Sequence, residues 1–77
     1  MWKCINGCKG INEVIASLPI EEDPNNEMEV LVDAKTGKAT DRFFDGCTGV
    51  PDDLALLAEA DENPRCPRCM AECDWED

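Results

Sequence analysis

The 77-residue chain holds 18 acidic residues against 7 basic ones and no histidine, a formal net charge of -11. That balance opposes general nucleic-acid binding, which needs clusters of Lys and Arg to meet phosphate. No apolar run approaches the roughly 20 residues needed to cross a bilayer. The length allows one domain, residues 1–77. Leu, Ile, Val and Phe together number only 15, and a core of this size supplies about 3–5 kcal/mol of net stability. Self-repulsion among the acids subtracts from that. Six cysteines are what remains to hold the chain together.

Met1 to Ile5 reads as a short strand running into a turn at Asn6-Gly7. The start shows no basic stretch followed by an apolar one, so no secretory signal is expected. The chain is placed in the reducing cytoplasm, where structural disulfides are rare. Ile11, Val14, Ile15 and Leu18 then fall at i, i+3, i+4 and i+7, which predicts a first short helix capped by Asn12 and ended by Pro19. Glu21 to Asn26 is expected as an acidic loop. From Met28 to Asp33 the period changes to two, and Asp41 to Asp45 reads as the returning strand of a central hairpin around Thr36-Gly37. Pro51, followed by Asp52 and Asp53, opens a second helix through Leu54, Leu57 and Ala58, which Asn63-Pro64 stops. The expected architecture is a small α+β fold: a hairpin, two short helices and a cysteine cluster at each end.

The cysteines carry the chemistry. Cys4 and Cys8 are separated by three residues, Cys66 and Cys69 by two. Short loops of this kind aim two thiolates at one ion while backbone amides donate to the sulfurs, and glycines such as Gly7 and Gly10 supply the freedom the turn needs. Two pairs make a tetrahedral four-sulfur site, diagnostic of Zn²⁺ or of iron. Without histidine, every strong ligand here is sulfur. A structural zinc ion contributes about 10–16 kcal/mol of binding free energy coupled to folding, several times the core surplus. Cys4, Cys8, Cys66 and Cys69 are the expected metal ligands. Cys47 reads as an isolated buried thiol. Cys73 stands four residues after Cys69; on a helix it would share a face with Cys69 and replace a ligand or join a second metal. Three disulfides, in any of 15 connectivities, are the other use of six cysteines.

At Trp2-Lys3-Cys4-Ile5-Asn6-Gly7-Cys8-Lys9-Gly10 and Cys66-Pro67-Arg68-Cys69 the sequence resembles two-knuckle zinc ribbons, and more distantly rubredoxins. The likeness covers thirteen residues at the two ends. It implies one zinc or iron ion bound by the two cysteine pairs. The first knuckle is one residue longer than the usual spacing, and Met70 stands where a glycine is typical. A treble-clef arrangement would follow instead if Pro67 to Trp75 formed a helix.

Other constellations are bland. Asp52-Asp53 and Glu21-Glu22 read as solvated surface, and without histidine the familiar nucleophile arrangements are missing. No catalytic residues are expected. Trp2 and Trp75, beside opposite knuckles, are expected to pack over the site. Glu21, Glu22, Asp23, Glu59, Asp61, Glu62, Asp74, Glu76 and Asp77 form the expected acidic surface. The chain therefore reads as a small acidic zinc protein, an interaction or adaptor module for a protein partner with a basic patch. The alternative is a rubredoxin-like iron electron carrier using the same cysteines; a thiol-disulfide switch at Cys66 and Cys69 is a third.

Overall fold

The computed structural model describes residues 1–20, 22–60 and 63–76. Along the chain come β1 (Trp2–Cys4), β2 (Glu13–Ile20), β3 (Asp23–Asp33), β4 (Ala39–Phe43), helix α1 (Asp52–Glu59) and β5 (Cys73–Trp75). β2, β3 and β4 form an antiparallel sheet in that order, and β1 pairs with β5 in a second, two-stranded sheet. Sequence reasoning and structure agree on a small α+β chain with a central hairpin and on a helix opened by Pro51. They disagree on the first helix.

Residues 13–20 are a strand, and α1 stands as the one helix among the described residues. The error has a physical cause. Val14, Ile15 and Ala16 are all fully buried. A strand covered on both faces loses its polar-apolar alternation and cannot be told from a buried helix by periodicity. The adjacent β-branched pair Val14-Ile15 favours the extended form. Pro19, taken as a helix stop, sits near the end of an edge strand, where its missing N–H costs no ladder bond in the sheet interior. The expected loop over 21–26 is shorter than thought, because β3 already begins at Asp23. Glu21 lies outside the described residues, as do Asp61, Glu62 and Asp77.

Register explains the core. Val14 faces Val32, Ala16 faces Val30 and Leu18 faces Met28 across β2 and β3. Val30 faces Phe43 and Val32 faces Ala39 across β3 and β4. These residues share one face of the sheet, against which α1 sets Leu54, Ala55 and the buried Ala58. Pro51 caps the helix from an extended conformation, with Asp52 and Asp53 in the first turn, where acids complement the positive end of the helix dipole. Burying a Val or Leu side chain contributes about 1.5–3 kcal/mol, and few such residues are present.

The hairpin turn is tied by Asp33. Its Oδ1 accepts the N–H groups of Lys35 at 2.8 Å and Thr36 at 3.1 Å, and its carbonyl accepts Gly37 N–H at 2.8 Å. Gly37 adopts φ 75°, a conformation that costs other residues about 1–2 kcal/mol. The sheet is then extended on its β2 edge. Ile15 and Arg65 exchange both backbone hydrogen bonds at 2.8 Å, and the Arg65 guanidinium reaches Ser17 Oγ and, at 3.4 Å, Glu27.

Candidate metal centre

The end of the chain follows from that bridge. Cys73 N–H donates to Pro64 O and Cys66 N–H to Ala71 O, both at 2.8 Å. Residues 64–73 thereby form a tight return that opens on the sheet and ends in β5. The helix over Pro67 to Trp75 that a treble-clef arrangement would need is absent: Pro67 to Cys69 is a turn and Cys73 to Trp75 a strand. A treble-clef arrangement is thus excluded. β5 pairs with β1 so that Cys4 faces Cys73 and Trp2 faces Trp75. The first cysteine pair is thereby carried to the second. After β1 the chain turns back, with Gly7 N–H donating to Cys4 O at 3.0 Å and Gly7 at φ 79°.

These turns bring the ligand atoms of Cys4, Cys8, Cys66 and Cys69 all within 4.8 Å of one another. Cys4 Sγ lies 3.4 Å and Cys8 Sγ 3.7 Å from Cys69 Sγ. A tetrahedron with metal–sulfur bonds of about 2.3 Å has edges of about 3.8 Å. The cluster therefore has the donor type, the number and the spacing for one borderline or soft cation. All six cysteines are free thiols, with sulfurs well beyond the roughly 2.05 Å of a disulfide bond.

The surrounding donors favour thiolate. Arg68 N–H points to Cys66 Sγ at 3.4 Å, and Asn6 Nδ2 donates to Cys69 Sγ at 3.6 Å. The Cys69 thiol is pulled down to about 6, chiefly because Ala71 N–H donates to its sulfur, with Cys4, Asn6 and Cys8 adding further hydrogen bonds. Cys8 is pushed up to about 12, first by its hydrogen bond to Cys69, then by those to Cys4 and Cys66. Four sulfurs this close cannot all be anionic without a cation, so protons stay on some and charge concentrates where backbone amides point. Four of the chain's seven cations, Lys3, Lys9, Arg65 and Arg68, belong to these two segments, but Lys3 pairs with Glu76 and the Arg65 guanidinium with Ser17 and Glu27.

Cys73 is not part of the cluster. It is fully buried beside it, and burial first, then the charges of Cys66, Cys4 and Cys69, push its thiol up to about 11. A strand, not a helix, carries it, so the face that a helix would have let it share with Cys69 does not exist. Cys47 is also outside, and the expectation that it is buried fails: it is exposed on the turn after β4, its N–H bonded to Asp45 Oδ1 at 2.9 Å. Polar turn residues on both sides of Cys47 were the signal for this. Sequence reasoning missed Asn6 as a sulfur donor, although its place between Cys4 and Cys8 makes the role legible afterwards.

Trp2 and Trp75 meet edge to face, with ring centroids 5.4 Å apart and planes at 74°. Trp2 lines a cleft together with Cys4, Cys8 and Ile11, whereas Trp75 stands against Gly37 in the hairpin turn. The pair ties the terminal sheet to the hairpin more than it roofs the sulfurs. Of the expected surface acids, Glu22, Asp23, Glu59, Asp74 and Glu76 are exposed, and Glu76 pairs with Lys3 at 2.9 Å. Among the described residues no helix is long and apolar enough to cross a membrane.

No protein-family model matches the chain, and neither a curated protein nor a solved structure matches it at a significant level.

Proposed function

We propose that this chain is a single metal-stapled domain in which Cys4, Cys8, Cys66 and Cys69 hold one structural zinc ion, each pair acting as a knuckle. The convergence of four sulfurs from the two chain ends within 4.8 Å carries the reading. The metal's role is mechanical: it supplies a cross-link that the small core cannot replace. The residues do the rest. Amide and Asn6 donors stabilise the thiolates. Four sulfurs fill a tetrahedral site and leave no position for a substrate, so the domain works by binding, not by catalysis. Its net charge of -11 suits a protein partner that presents a basic patch, with charge speeding encounter more than adding affinity. A cytoplasmic, reducing setting keeps the thiols available.

Native mass spectrometry with elemental analysis of the purified chain tests this reading. One zinc per chain in a colourless protein is expected. A red protein containing iron would make it an electron carrier on the same four cysteines, and a well-folded chain without metal would overturn the staple.

A further inference from the structure

We propose that a groove beside the second cysteine turn is the docking site for a cationic, amphipathic segment of the protein partner, an inference that rests on the binding role above. The groove has a volume of about 640 Å³ and its apolar lining comes from Met28, Phe43, Phe44 and Met70. Glu27, Glu29 and Asp45 complete it together with Cys47. Three carboxylates and no cation therefore line an apolar trough, with Arg65 reaching Glu27 from outside at 3.4 Å. Phe44 and Met70 are exposed.

Met70 adds a second, independent observation. It has φ 61° and is the one positive-φ residue besides glycines among the described residues. Glycine would take this conformation without strain, whereas another side chain costs about 1–2 kcal/mol. Yet Met70 is 45% exposed, so burial within this chain repays only part of the strain. Retained strain of this sort points to use of the side chain, and an unbranched thioether suits an adaptable contact surface. Since Met70 directly follows Cys69, the metal centre fixes this wall of the groove. The complementary occupant carries aliphatic side chains for the trough and Lys or Arg for the three acids. A second copy of this chain would bring carboxylates onto carboxylates at a net charge of -11 each, so the occupant is a different protein.

The test uses the full zinc-loaded chain and a synthetic heptapeptide, Lys-Leu-Lys-Leu-Lys-Leu-Lys, with heptalysine as the comparator. Fluorescence anisotropy gives affinity, amide NMR shifts give location, and mass spectrometry gives metal content. The alternating peptide should bind about tenfold more tightly than heptalysine, moving the resonances of Met28, Phe43, Phe44 and Met70. Met70→Gly should weaken binding about tenfold with metal content unchanged, whereas Leu56→Ser on the exposed side of α1 should leave it unaltered. Equal affinity for heptalysine, shifts centred on Glu22, Asp53 or Glu59, indifference to Met70→Gly, or dimerisation through the groove would each overturn the assignment. Zinc bound without groove binding defeats this inference alone; absence of zinc defeats the staple itself.

Discussion

Cys4 and Cys69 are 65 positions apart in the chain, and their sulfurs lie 3.4 Å apart. Cys4 and Cys66 belong to the buried core, but the backbone links on either side are only short strands and turns. With the proposed zinc ion contributing about 10–16 kcal/mol against a core surplus of about 3–5 kcal/mol, Cys4→Ser or Cys69→Ser should abolish metal binding and the cooperative fold. Exposed Cys47 has no such role, and Cys47→Ser should keep both metal content and thermal midpoint. Loss of metal in the Cys47→Ser variant would show the ligand set to be wrong. Chelation of the reduced wild-type chain should collapse its amide dispersion.

Metal binding should release protons and strengthen as pH rises. Cys8 is pushed up to about 12, so it is protonated at neutral pH and must lose its proton to become a ligand. Each drop in pH makes that exchange less favourable, and affinity falls accordingly. Zinc titrations at pH 7 in buffers of different ionisation enthalpy should give at least one proton expelled per ion. An enthalpy independent of buffer would contradict the protonation pattern of the cluster.

Met70→Gly should make the domain more stable. Glycine removes the cost of φ 61°, about 1 kcal/mol, and the lost side chain is 45% exposed. Denaturant midpoints of the zinc-loaded forms measure this. A clear destabilisation would mean that Met70 packs against the chain more than its exposure indicates.

Gly37→Ala should do the opposite. Its φ is 75°, and an added Cβ would stand 3.3 Å from the Trp75 ring and 3.8 Å from Trp2 Nε1. Strain of about 1–2 kcal/mol and displacement of the tryptophan pair should lower the thermal midpoint and shift the tryptophan emission. Unchanged emission would place Trp75 elsewhere.

The hairpin was legible because β3 is covered mainly on one face: Val30 and Val32 alternate with Glu29 and Asp33 along it. The helix at 52–59 was legible from a proline and two acids at its start. The strand at 13–20 was not, because Val14, Ile15 and Ala16 are all covered by neighbours that lie distant in the chain. The partner on one edge is Arg65, joined to Ile15 by two backbone bonds that no local pattern announces. For the site, the spacing of each cysteine pair was local and readable. The burial of Cys73 was not, since it depends on what folds against it, whereas the polar turn residues around Cys47 already carried the signal of its exposure.

Residue order alone settled the donor chemistry: four thiols in two short loops, no imidazole, and few large apolar side chains. Assembly in three dimensions settled the geometry, by pairing β1 with β5 and hanging Cys66 from the edge of the central sheet. Spacing of three or four positions fixes which atoms can converge on a point, because such reach is local. Whether two remote loops share that point depends on strand pairing between distant residues, which only the folded chain determines.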